Sequence, residues 1–145
     1  MTLHLVKLCV GAESIADLEE WIADRMAERR RRGELQRHAH VTRMTPKRAE
    51  ALVDGGSLYW VIKGLISARQ RLLEVEPFVD AAGIGRCRLW MEPKVVAVAP
   101  RPMRAFQGWR YFVDRDAPLD LEAAGAGAAA MPESLRRTLG ELGLL

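Results

Sequence analysis

Tyr59, Trp60, Lys63, Arg69 and Arg71 fall close together in the stretch Thr45 to Arg71. Aromatic faces interleaved with cations suit nucleic acid. Lysine and arginine neutralise phosphates, and a ring that stacks on a base contributes about 1–3 kcal/mol. The same residue types recur on either side, as Arg43, Lys47 and Arg48 before and Arg101, Arg104, Trp109 and Arg110 after. Ser57 adds a hydroxyl just ahead of the Tyr59-Trp60 pair. In a strand, Tyr59 and Trp60 face opposite sides, so at most one meets a ligand while the other packs in the core. For each arginine the competing reading is a solvated strand face. For Trp60 and Trp109 it is core packing.

Other chemistries have fewer of their parts. Lys63 can serve as a base or nucleophile where desolvation lowers its pKa, with Ser57, Thr42 and Glu74 or Glu76 to assist. No Ser/His/Asp order, phosphate-binding glycine loop or HExxH sequence accompanies it. His38 and His40 lie two apart and share one face of a strand. Such a pair can hold zinc given further ligands, but His4 is the only other histidine and no cysteine is near in sequence. Hydrogen-bonded strand histidines are the simpler expectation, and no metal or cofactor is implied. The run Arg29 to Arg32 points all round a helix, so no more than half of it can meet one partner. Its alternative role is to complement the exposed carbonyls of a last helical turn.

The elements that must position these groups are legible in turn. Thr45 caps a short helix, Pro46 suits its first position, and Ala49, Leu52 and Val53 give it an apolar side. Asp54-Gly55-Gly56 stops it. Leu58 to Ile62 is β-branched and aromatic, as a strand is, and Gly64 turns the chain so that Leu65 to Val75 runs back. Upstream, Leu3 to Val10 reads as a mostly buried strand, with Leu3, Leu5 and Cys9 set against His4 and Leu8. Ser14 and Asp17 resemble a capping box for a helix from Ile15 to about Arg32, ended by Gly33. Gln36 to Met44 is a strand candidate. Downstream, Glu76-Pro77 and Ala82 to Gly85 mark a loop, Arg86 to Met91 and Lys94 to Ala99 are strands, and Pro100 to Arg104 is a stiff extended loop. Phe106 to Phe112 supplies a turn and a last strand.

The strands fall mostly in succession, which predicts an α+β domain around a mostly antiparallel sheet, either a small barrel or strongly curved. One domain is expected over 1–121. Residues 122–145 then form an Ala/Gly-rich linker and a short amphipathic helix with Leu135, Leu139 and Leu142 on one side. That helix can dock on the body or on a second subunit, which leaves a homodimer open.

A chain of 145 residues with 49% hydrophobic residues is long and apolar enough for a real core. Its net charge of +3 is compatible with a polyanionic partner without demanding one. Cys9 and Cys87 read as buried small hydrophobes of a reducing compartment. No signal-peptide pattern is seen and no apolar run approaches the roughly 18 residues of a membrane span, so a cytoplasmic location is expected.

The block Gly-Gly-Ser-Leu-Tyr-Trp-Val-Ile-Lys-Gly from Gly55, with Arg-Pro-Met-Arg-Ala-Phe-Gln-Gly-Trp-Arg-Tyr-Phe from Arg101 and Ala-Pro-Leu-Asp-Leu from Ala117, resembles a family of small bacterial proteins. It is designated domain of unknown function 1489, and the resemblance implies no activity. A short helix ending in glycine, then a strand and a hairpin return, also resembles the opening of PUA-like domains over Thr45 to Val75. Their ASCH and EVE branches are small β-barrels that generally bind RNA or modified bases. Ser57 stands where ASCH proteins usually carry lysine, and the next strand lacks their glutamate. The Tyr59-Trp60 pair is closer to the EVE branch. The resemblance implies a PUA-like module that binds RNA or a modified nucleobase, and the residue types read above make Arg43, Lys47, Ser57, Tyr59 or Trp60, Lys63, Arg69, Arg71, Arg101, Arg104, Trp109 and Arg110 its candidate contacts. The alternatives are a small hydrolase acting on a nucleoside-like amide and a protein-interaction module. A binding module needs its cations to converge on one concave face. An enzyme needs Lys63 partly buried beside a carboxylate or hydroxyl. An interaction protein needs an exposed apolar patch.

Overall fold

The computed structural model describes residues 2–121. The expected linker and C-terminal helix lie outside the described residues. The chain runs β1 (Leu3–Leu8), α1 (Ile15–Arg31), β2 (His38–Thr42), α2 (Ala49–Val53), β3 (Ser57–Ile62), β4 (Leu65–Val79), β5 (Gly85–Met91), β6 (Val96–Pro102) and β7 (Trp109–Val113). The start of α1 is fixed by its cap. Ser14 Oγ accepts from the Asp17 amide at 3.1 Å, and the Asp17 carboxylate accepts from the Glu13 amide at 3.0 Å. Ile15, Leu18, Ile22 and Met26 recur at helical spacing and are buried. The arginine run at its end is largely engaged within the protein. Arg29 donates to the Leu35 carbonyl at 2.7 Å and pairs with Glu34, while Arg31 and Arg32 both pair with Glu28.

β3 and β4 form a hairpin whose two turn residues, Lys63 and Gly64, have φ of 49° and 77°. Positive φ at both positions is the I′ geometry, whose twist matches that of the strands. The expected loop at Glu76-Pro77 is instead part of β4, which pairs with β5 as far as Val79. β4 outruns β3 beyond Arg71, so Pro77 sits where the strand has an open side and its missing N–H is tolerated.

The strand order is β2-β5-β4-β3-β1-β7, with β6 also pairing to β4. Only β1 and β3 are parallel among these pairs. Laid flat, five inter-strand steps would hold β2 and β7 roughly 24 Å apart. Instead Trp109 Nε1 donates to the Met44 carbonyl at 2.8 Å, and the Arg48 amide donates to the Tyr111 hydroxyl at 3.1 Å. The sheet is therefore strongly curled, but it does not close into the barrel that was one expectation. No ladder joins β2 to β7, and side chains bridge that seam.

The curl gives the sheet an inner and an outer face. Inside, Leu3 and Leu5 of β1, Leu58, Trp60 and Ile62 of β3, and Cys87, Leu89 and Met91 of β5 pack with the buried side of α1 and with Leu52 of α2. Outside, Val6, Tyr59, Val61, Ile66, Val98 and Phe112 form a second cluster. A register shift between Ile66 and Ala68 marks a bulge at Ser67. It reverses the side-chain alternation, so that Ala68 packs inside against Trp60 while Arg69 faces out with Tyr59.

Candidate functional site

Two clefts follow from the two faces of β1. Odd-numbered residues of β1 face inward, and Lys7 among them stands directly across the ladder from Trp109 of β7. Lys7 and Trp109 line a cleft of about 490 Å³ at the open seam, together with Val41 to Met44, Arg86, Gln107 and Gly108. Burial holds the Lys7 ammonium below its ordinary pKa. Among the described residues neither Lys7 nor Arg43 has an ion-pair or hydrogen-bond partner for its side chain. Arg86 differs, since Asp80 pairs with it. Thr42 Oγ1 and Trp109 Nε1 both donate to the Met44 carbonyl, at 2.9 and 2.8 Å, which fixes the rim of the cleft.

Behind Lys7 the interior is polar. The His40 ring meets Trp60 edge-on at 5.2 Å, and its Nε2 is buried without a partner. His38 is buried with neither nitrogen paired. Gln70 is close to it, but the Gln70 amide is committed to Trp60 Nε1 and to the Glu92 carbonyl. Burial first, and then nearby positive charge, depress both histidines to about 4. Among the described residues no group of three or more His, Cys, Asp or Glu side chains is placed to hold a metal.

Even-numbered residues of β1 face outward, and His4 lines a second crevice of about 360 Å³ with Ser57, Tyr59, Arg69, Asp114 and Asp120. His4 Nε2 lies 2.8 Å from Asp114 Oδ1, and His4 Nδ1 accepts from the Ser57 backbone amide at 2.9 Å. The second contact places the proton of the neutral ring on Nε2. Arg69 grips Asp120 through Nε and Nη2, both at 2.8 Å, and donates to Ser57 Oγ from Nη1 at 3.1 Å. That hydrogen bond to Arg69 holds the Asp120 carboxyl below its usual range. Ser57, His4 and Asp114 are thus close but not in hydrolytic order, because the histidine meets the serine's amide rather than its hydroxyl.

The expected site residues therefore separate. Arg43 and Trp109 meet at the seam; Ser57, Tyr59 and Arg69 meet in the outer crevice. Trp60 is 1% exposed and belongs to the core. Lys63 lies at the hairpin turn, its side chain 56% exposed and 3.7 Å from Glu13, far from the desolvated setting a nucleophilic lysine needs. Arg101 donates to the Asp116 carbonyl, Arg110 stacks over Phe106 at 4.6 Å, and Lys47, Arg71 and Arg104 are exposed and line neither cleft. Sequence reasoning missed Lys7, although its parity with Leu3, Leu5 and Cys9 marked it as an inward-facing charge.

No helix among the described residues is long and apolar enough to cross a membrane. No curated protein and no solved structure matches the chain. Residues 5–145 match the family described as protein of unknown function (DUF1489), and the chain belongs to that family.

Proposed function

We propose that the protein binds single-stranded RNA or a modified nucleotide, with the phosphate and base held at the seam cleft. The observation that carries this reading is the pairing of Lys7 and Arg43, two cations with no acidic partner among the described residues, with the Trp109 ring in one cleft. A partly buried ammonium without a counter-ion is costly, and an anionic ligand offsets that cost. The cleft volume of about 490 Å³ lies within the range of small-molecule sites. Trp109 supplies a π-face on which a base of any sequence can stack. The helix, glycine stop, strand and hairpin that resemble the opening of PUA-like domains support the same ligand class. A hydrolase is less well supported, because neither Lys63 nor the Ser57–His4 contact is arranged for nucleophilic attack.

The test is a fluorescence-anisotropy titration of the full chain against a mixed single-stranded RNA pool and a DNA control at two salt concentrations. Binding is expected to weaken with salt. Combining Lys7→Ala with Arg43→Ala should reduce the slope of log K against log salt by about 1.4, the value for two phosphates on a single strand. Combining Lys63→Ala with Arg101→Ala should leave binding within about twofold. Absence of binding at low salt, or equal loss in both double variants, would overturn the proposal.

A further inference from the structure

The outer crevice presents hydrogen-bonding groups that its own residues leave unused. The Tyr59 ring is 4% exposed and lines this crevice, yet its hydroxyl has no hydrogen-bond partner among the described residues. The ring is buried while the hydroxyl itself is reached from the crevice, which leaves it available to a ligand. Asp114 gives one carboxylate oxygen to His4 and leaves Oδ2 without a partner among the described residues. Arg69 is engaged by Asp120 and Ser57 on Nε, Nη1 and Nη2. With His4 neutral, the lining itself carries two aspartates against one arginine, while Lys94 and Glu92 act from outside it with opposite signs. An anion entering here would meet two carboxylates and an arginine already engaged by one of them. A ligand that donates hydrogen bonds and carries positive charge meets complementary groups instead.

We propose that this crevice binds a primary ammonium group, seated between Asp114 Oδ2, the Tyr59 hydroxyl and Ser57 Oγ. An ammonium has three N–H donors on one compact charge, and these three acceptors line the same crevice, Ser57 Oγ with one lone pair already taken by Arg69. The guanidinium of a ligand would need a planar fork of acceptors, and the Asp120 fork is already filled by Arg69. Ala117, Pro118 and Leu119 line the same crevice and accommodate a short alkyl chain behind the charge. The site is independent of the seam cleft, since alternation along β1 sends His4 to one face and Lys7 to the other.

The test is a titration of the uniformly ¹⁵N-labelled full chain with n-butylammonium, followed by the amide signals of Gly55, Ser57 and Asp114. Saturable shifts of these amides are expected, with none for 1-butanol and none for butyltrimethylammonium, which has charge but no N–H. Asp114→Asn retains an oxygen for His4, and Tyr59→Phe retains the packing. Each should weaken binding about tenfold, the loss expected for one hydrogen bond to a charged group. A parallel arm uses acetyl-Gly-Lys-Gly-amide. Binding of the peptide as well as the free amine identifies a lysine side chain as an admissible source, and binding of the amine alone restricts the site to small amines. No saturable shift with either, equal shifts with 1-butanol, or unchanged affinity in both variants would overturn the assignment.

Discussion

Gly56 has no room for a side chain. A Cβ built on it would fall far inside van der Waals contact with the backbone oxygens of Leu3 and Leu52. Gly55 is glycine for a different reason, since its φ of 86° is the left-handed conformation that ends α2, with open space around it. The two adjacent glycines therefore separate space from conformation. Gly55→Ala should cost about 1–2 kcal/mol, the left-handed penalty of an L-residue. Gly56→Ala should cost about 3 kcal/mol or more, because backbone rather than a flexible side chain must move. Urea denaturation of the two single variants checks this, and an equal or reversed order would show that β1 can yield. Read as sequence, Asp54-Gly55-Gly56 is only a helix stop, which accounts for Gly55. The role of Gly56 depends on β1 passing beside it, a contact between residues 53 positions apart. Lys7 lies at the opposite end of legibility. Its parity within β1 was readable from the outset, and only the polarity of the groups around it required the fold.

Several local elements were legible because they carry their own chemistry: the Ser14 cap, the glycine stop, and the turn at Gly64; α2, by contrast, opens at Arg48 with no side-chain cap rather than at Thr45. What the elements assemble was not legible, and the Ser67 bulge shows why. Without it, alternation from Ile66 would turn Arg69 inward beside Trp60. With it, Arg69 stands outside against Ser57 and Asp120. No residue type announces a bulge, so whether Lys63, Arg69, Arg71, Arg101 and Arg104 share one face depends on a register that the sequence does not display. The seam is a second element-level feature. Two hydrogen bonds, from Trp109 to the Met44 carbonyl and from the Arg48 amide to Tyr111, hold β7 near β2 where a ladder is missing. Combining Trp109→Phe with Tyr111→Phe removes both and keeps an aromatic ring at each position, smaller at 109. Global stability should fall by about 1 kcal/mol per bond. Hydrogen exchange at residues 41–44 and 109–111 should accelerate beyond that global change, because these edges open without unfolding the sheet. Exchange that rises uniformly through the chain would mean that the seam opens only with global unfolding.

At the scale of the whole molecule, curling the sheet places charge and imidazole inside a core that the strand patterns alone present as apolar. Succession of strands was enough to predict a mostly antiparallel α+β fold. How far the sheet curls depends on tilt and register summed over all its strands, and no single segment records that sum. The consequence is an acid-sensitive interior. The Arg25 charge of α1 acts on His38, and the charges of Lys7, His38 and Arg25 act on His40. Burial is the largest cause of their depression to about 4 from an unfolded value of 6.5. Between those limits the unfolded chain binds more protons than the folded one, so stability rises with pH. It is fully present above about pH 6.5, falls as pH drops toward 4, and levels off below. Each pKa unit corresponds to about 1.4 kcal/mol, so either histidine alone can remove about 3 kcal/mol. Glu28, Glu76, Asp80 and Asp120 have carboxyls lowered mainly by hydrogen bonds from side chains, and their losses come as pH falls below the usual carboxylate range. The upper part of the transition, from pH 6.5 to about 5, thus lies above the range of those carboxyls. Urea midpoints measured at intervals across that range should fall steadily for the wild-type chain, and the slope should be about halved in His40→Leu. An unchanged slope in that variant would mean that the interior rehydrates and accepts the proton without loss.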